Sequence, residues 1–186
     1  MWENYLRIPN WMSISRGDVN RTILELELPK KSKVLDIGCG FGRISLFLRG
    51  HDSNVTAIDS YPKMVKAIKS RGINAILMNA ENLKFKNNKF DLVFSDGLLE
   101  HFKKEDKIIR IIKEQVRVSR KYVLNFVPRD NFLNTILEKV QGVPKEYRSH
   151  NWVKLHKSAI PKRLIKKYSF YVKKLLRLDA YIIEKL

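Results

Sequence analysis

The sequence of 186 residues predicts a doubly wound α/β domain built on a mostly parallel sheet. Three observations carry that expectation. Short apolar runs alternate with helix-like segments from about residue 18 to residue 127. The apolar runs are nearly continuous in hydrophobicity, as strands covered on both faces must be. Three of the eight glycines fall at alternate positions in the stretch Val34-Leu35-Asp36-Ile37-Gly38-Cys39-Gly40-Phe41-Gly42, where a strand breaks into a loop and then a helix.

The elements follow in order. Residues 1–17 read as an irregular or partly helical arm anchored by Tyr5, Trp11 and Met12. Asp18 can cap a helix over 19–28, with Ile23, Leu24 and Leu28 on one stripe, and Pro29 ends it. Lys33 to Ile37 is the first strand, and 41–48 the helix after the glycines. Val55 to Asp59 is the second strand. Ser60 is a cap and Pro62 suits a first turn, so a helix covers 62–70 until Gly72 stops it. Ala75 to Met78 and Phe90 to Ser95 are strands three and four, the latter announced by the Asn87-Asn88 turn. Ile108, Ile111 and Ile112 mark a helix over 104–118, and 122–127 is strand five.

The last third reads differently. A helix is expected over 131–140, a loop over 142–157 and a basic helix over 159–168. Strand-like runs near 170–176 and 180–185 are too close for a crossover helix, so they should pair antiparallel at the sheet edge.

Composition sets limits. Hydrophobic residues at 44% and charged ones at 30% suit one packed domain covering 1–186. No apolar run approaches the roughly 20 residues of a membrane span, and the N-terminus lacks a signal-peptide layout. A single cysteine rules out an internal disulfide framework. A cytoplasmic protein is the expectation. The net charge of +18 is uneven: residues 103–186 hold 22 basic and 8 acidic side chains, a surplus of 14. Such a half can steer polyanions such as RNA, or simply keep the surface solvated.

The glycine loop allows backbone to approach a ligand, and the acidic Asp59 closing the second strand adds a partner for a nucleoside. The dinucleotide fingerprint G-x-G-x-x-G fails here, because from Gly38 and Gly40 its third position is Arg43. The pattern resembles instead the class I S-adenosylmethionine-dependent methyltransferases. It does so through VLDIGCGFGR at 34–43, the strand-end Asp59, NAEN at 79–82 and FDLVFSDGLLEH at 90–101.

That resemblance implies a Rossmann-like seven-stranded sheet and S-adenosylmethionine as cofactor. It divides the chain into an arm and helix at 1–28, a cofactor-binding core at 33–127 and an acceptor-side segment with closing strands at 128–186. It implies backbone of Gly38, Cys39 and Gly40 beside the methionine part, and Asp36 orienting that loop. Asp59 would face the ribose hydroxyls, with Ser60 and Tyr61 near the adenosine and Met64 packing nearby. Asn79, where the family commonly has aspartate, would accept from the adenine amino group. Ala80 would donate its N–H to the ring, with Glu81 beside it. The Ser95 carbonyl would lie near the ammonium and the transferring methyl.

No catalytic constellation is expected, since a sulfonium donor needs mainly placement of the acceptor. His101 is the candidate base. Arg129, Tyr147 and His150 are candidates for contacting substrate, with Trp152 and His156 nearby; the four histidines are too dispersed for a metal cluster. The absence of an NPPY-type tetrapeptide after strand four, and of a second cysteine, argues against several base-methylating chemistries. A small or medium-sized metabolite is the leading acceptor class, because only about forty residues separate strand five from the closing pair. RNA or a ribonucleoprotein is the alternative. A third is an inactive cofactor-binding or partner-activated subunit.

Overall fold

A computed structural model describes residues 16–128, 150–160, 165–172 and 176–184, with backbone only at 16–18, 128, 165–172 and 176–178. The N-terminal anchors, the helix expected over 131–140, Arg129 and Tyr147 lie outside the described residues. In chain order the elements are α1 (Arg16–Leu24), β1 (Lys33–Ile37), α2 (Arg43–Gly50), β2 (Asn54–Asp59), α3 (Pro62–Lys69), β3 (Asn74–Leu77) and β4 (Phe90–Asp96). A 3-10 turn at Leu99–His101 leads to α4 (Glu105–Val118), β5 (Ser119–Pro128), α5 (Trp152–Ala159), β6 (Ile165–Val172) and β7 (Leu176–Glu184).

The seven described strands form one sheet in the order β3-β2-β1-β4-β5-β7-β6. Strands β1 to β5 are parallel neighbours, while β7 runs antiparallel to both β5 and β6. The order reverses between β1 and β4, and a doubly wound sheet opens a crevice at the carboxyl ends of the strands flanking such a reversal. Two cores flank the sheet. One packs Ile108, Ile111, Ile112 and Val116 of α4, with Trp152 and Leu155 of α5, onto β4, β5 and β7. The other packs Val19, Ile23, Ile44, Leu48 and Ile68 of the first three helices onto β1, β2 and β4. Each fully buried isoleucine contributes about 1.5–3 kcal/mol relative to an exposed one.

The alternation from β1 to β5 stands as expected, to within a few residues at each end. Helix α1 stops at Leu24 because the chain tightens into i→i+3 turns and Glu27 takes a left-handed φ of 46°. Leu24 itself is exposed, and the buried stripe runs through Val19, Thr22 and Ile23 instead.

The last third needs correction. Within the stretch expected as a loop, Asn151 caps α5 by accepting from the Lys154 N–H at 3.0 Å. Trp152, Leu155, His156 and Ala159 then form a buried stripe at helical spacing. Within the stretch expected as a basic helix, β6 begins at Ile165 and pairs with β7 from Ile165–Ile183 to Val172–Leu176. The ladder overrides local helix propensity there, as it does for β-branched and aromatic runs with a partner strand.

Candidate cofactor site

The loop after β1 is built by three left-handed glycines, with φ of 70°, 51° and 69° at Gly38, Gly40 and Gly42. Their reasons differ. A Cβ on Gly38 would lie 2.7 Å from Leu98 Cδ1, and one on Gly42 would lie 2.5 Å from Ile68 Cδ1. A Cβ on Gly40 would meet nothing within 4 Å. The outer two glycines therefore serve packing as well as conformation, and Gly40 alone opens onto space. The N–H groups of Gly38 and Cys39 both donate to the Ile58 carbonyl, at 2.9 and 3.0 Å, binding the loop to the end of β2.

Asp59 completes this frame. Its Oδ2 accepts from the Gly40 N–H at 3.0 Å, and its Oδ1 accepts from the Tyr61 N–H at 2.8 Å. An ionised carboxylate has about four acceptor sites, so two remain beyond these bonds. Asp59 is half-buried, Ser60 exposed, and Met64 buried on the inner face of α3.

Asp36 lies under the loop, 4% exposed, and accepts from Ser45 Oγ at 2.7 Å. Burial pushes its carboxyl up to about 7; Asp96 and Asp59 add to the rise, while the Ser45 hydroxyl and Arg43 oppose it. Arg43, the first residue of α2, holds Asp96, the last of β4, at 3.0 Å. Burial, helped by the Asp36 and Asp59 charges, pushes the Cys39 thiol far up, so it is a packing group and not a thiolate.

The segment after β3 is an Asx turn: Asn79 Oδ1 accepts from the Glu81 N–H at 2.8 Å. Glu81 is anchored to α4 by Lys107 and Arg110, each at 3.2 Å. Ala80 is half-buried against the α4 core. Ser95 is fully buried and donates to Asn125 Oδ1 at 2.7 Å. Behind it lies a polar cluster that sequence reading missed. Gln115 Nε2 donates to Asn125 Oδ1 at 2.8 Å, and Asn125 Nδ2 donates to Gln115 Oε1 at 2.9 Å.

His156 closes the cluster. Its Nδ1 lies 2.7 Å from the Trp152 carbonyl, an acceptor, so Nδ1 carries the proton and Nε2 accepts from Asn125 Nδ2 at 3.2 Å. The ring stacks on Tyr181 at 4.4 Å, and burial lowers its pKa to about 4. The missed signal was a polar residue on each buried helical stripe, Gln115 in α4 and His156 in α5.

His101 sits in the turn after β4. Burial holds its imidazole below the usual value, opposed by a hydrogen bond to the Gly97 backbone. His150 Nε2 is 3.0 Å from the Phe102 carbonyl, so the residue expected near substrate is tied to the end of the same turn. The structure therefore brings Asp36, the three glycines, Cys39, Asp59 and Ser95 together at the carboxyl ends of β1, β2 and β4. Asn79, Ala80 and Glu81 follow on from β3. Among the described residues no group of three or more His, Cys, Asp or Glu could hold a metal ion, and no helix is long and apolar enough to cross a membrane.

A glycine loop open at Gly40, gripped by an acidic strand end, lies at the switch point of this α/β sheet, where doubly wound folds bind their ligands. Comparison with known proteins narrows the class. A family model described as a methyltransferase domain matches residues 35–123. An uncharacterized protein of Methanocaldococcus jannaschii is 28% identical over 130 residues, which are 70% of this chain and 61% of that one. The human protein named probable tRNA methyltransferase 9B is 33% identical over 88 residues, 47% of this chain and 19% of its own length. The magnesium protoporphyrin IX methyltransferase of Synechocystis, solved with bound SAH, superposes with a TM-score of 0.75 at 14% identity. That match covers 95% of this chain and 84% of that one, and shows a shared fold. The chain shares the fold of that methyltransferase, and its residues 35–123 match a methyltransferase domain. It spans under two thirds of the length of the curated relatives just named.

Proposed function

We propose that this chain transfers the methyl group of S-adenosylmethionine to a small or medium-sized metabolite. The observation that carries the cofactor side is the open face of Gly40 beside Asp59 and above the buried Asp36. When bound, the cofactor supplies an activated methyl group. The protein's part is to bind and orient. The remaining acceptor sites of Asp59 suit a ribose diol, and the backbone carbonyls of Gly38 and Gly40, with that of Ser95, suit an ammonium. Asp36 places a carboxylate beneath the same loop. The Asn79–Glu81 turn, fastened to α4, offers backbone at the adenine end. His101, held neutral by burial, is in the protonation state that a proton acceptor needs.

Calorimetry tests the cofactor side. S-adenosylmethionine should bind and NAD should not, and Asp59→Ala should weaken binding by about 10-fold or more, the scale of losing hydrogen bonds to a charged acceptor. Binding of NAD in place of the sulfonium nucleoside would overturn the reading.

A second reading, an RNA acceptor, is favoured by the exposed cations Lys104, just before α4, Arg110 and Lys113 of α4, and Lys154 and Lys157 of α5, of which Arg110 and Lys154 also pair with Glu81, Asp106 and Glu105. The name of the tRNA methyltransferase relative agrees with it. Affinity for tRNA fragments should then fall steeply and log-linearly with salt, and no binding at low salt would exclude it. Labelled-methyl transfer into RNA, protein and metabolite fractions of an extract separates the two acceptors.

A further inference from the structure

We propose that Arg43 recognises the carboxylate at the amino-acid end of the cofactor, exchanging its ion-pair partner Asp96 for that group. The inference rests on the S-adenosylmethionine reading above. Arg43 enters α2 directly after Gly42, and its guanidinium reaches across to Asp96 at 3.0 Å. The parallel register pairs Asp36 with Phe94, so Asp96 lies level with Gly38 and the ion pair spans the start of the glycine loop.

Charge balance supplies the reason. Asp36, Asp59 and Asp96 gather at the ends of β1, β2 and β4, and Arg43 is the cation that acts on Asp36 among them. The ligand's amino-acid end carries an ammonium, a carboxylate and, close by, a sulfonium. Three protein carboxylates suit the two cationic groups and repel the carboxylate. A guanidinium fork matches a carboxylate bidentately.

The neighbouring arginines are committed to backbone: Arg71 donates to the Phe41 carbonyl at 3.0 Å, and Arg49 donates to the Arg71 carbonyl. The Arg43 and Asp96 side chains are 31% and 26% exposed, so the existing pair is partly solvated and exchanges partners at small cost.

Calorimetry with three nucleosides tests this: S-adenosylmethionine, its decarboxylated form, which keeps the ammonium and sulfonium, and 5′-methylthioadenosine, which lacks the whole amino-acid end. Wild type should prefer S-adenosylmethionine over the decarboxylated form by about 10-fold or more, the scale of a charged hydrogen-bonded pair. Arg43→Gln should abolish that preference while binding the other two nucleosides within about 2-fold of wild type, and Arg43→Lys should restore part of it. Asp96→Asn should keep the preference. Equal weakening of all three nucleosides by Arg43→Gln would reveal a structural role and overturn the proposal. So would loss of the preference in Asp96→Asn, since Arg43 would then act only through Asp96. If wild type binds none of the three nucleosides, the cofactor reading itself fails; binding without carboxylate preference defeats only this proposal.

Discussion

Asp36 concentrates the conflict between burial and charge at this site. Its folded pKa near 7 lies above the ordinary carboxylate value, so the folded protein holds a proton there that the unfolded chain has released. Its contribution to stability is therefore greatest in acid and is lost as pH rises from about 4 to about 7. A cationic ligand end placed over it favours the ionised form and drives the proton off. Calorimetry near pH 6.5 in buffers of different ionisation enthalpy should report proton release on S-adenosylmethionine binding, and Asp36→Asn should eliminate it.

The glycines separate packing from ligand access at the same scale. Gly42→Ala forces a left-handed alanine and drives a Cβ into Ile68. It should lower Tm by more than Gly40→Ala, which carries only the conformational cost of about 1–2 kcal/mol. Gly40→Ala should act instead on cofactor affinity, because its methyl enters the open face. All three glycines and Asp59 were legible in the chain, since a strand–loop–helix break is a local property. Arg43 was legible as a mismatch to another fingerprint and as the end of the 34–43 motif, but not as an ion-pair partner of Asp96, which lies 53 residues away.

Among the elements, α4 does more than cover the sheet. Arg117 donates to the carbonyls of Leu83 and Phe85 and to Asn87, each at 2.8 Å, and grips both oxygens of Glu114. Glu114 in turn accepts from the Leu83 N–H at 2.8 Å. This clamp gives the irregular chain between β3 and β4 the partners its backbone would otherwise lack. The Arg117 hydrogen bond holds the Glu114 carboxyl below its usual range. Arg117→Ala should destabilise by about 1–3 kcal/mol, read as a lower denaturant midpoint at unchanged slope, and should alter cofactor affinity less than Asp59→Ala does. The α5 stripe was readable at helical spacing, but the aromatic and histidine content of its surroundings suggested a loop. The antiparallel closing pair was readable near 170–176 and 180–185, but the lysine-bearing start of β6 at 165–168 was not, because its partner β7 supplied the decision there.

At the scale of the molecule, the Ser95–Asn125–Gln115–His156–Tyr181 cluster joins β4, β5, α4, α5 and β7 in one buried network. It requires a neutral imidazole. His156 has a folded pKa near 4, below its unfolded value of 6.5, so stability is lost as pH falls between them, by an amount of order 3 kcal/mol. His156→Gln removes that titration. The stability gap between wild type and this variant should narrow as pH falls from 7 to 4, measured by denaturant midpoints. A gap that stays constant would mean the ring is not buried neutral. Asp36 opposes this loss over the same window, so the two variants should bend the acid profile in opposite directions.

The sequence by itself determined the α/β alternation, the glycine loop and the acidic end of β2, and with them the cofactor class. Each is written in residues a few positions apart, where backbone conformation and hydrophobic periodicity are local. Tertiary structure alone decided which polar groups meet: Arg43 with Asp96, Gln115 with Asn125, His156 with both Asn125 and Tyr181. Those pairings follow from the strand order β3-β2-β1-β4-β5-β7-β6. That order brings distant residues together on one strand end, and no local spacing encodes it.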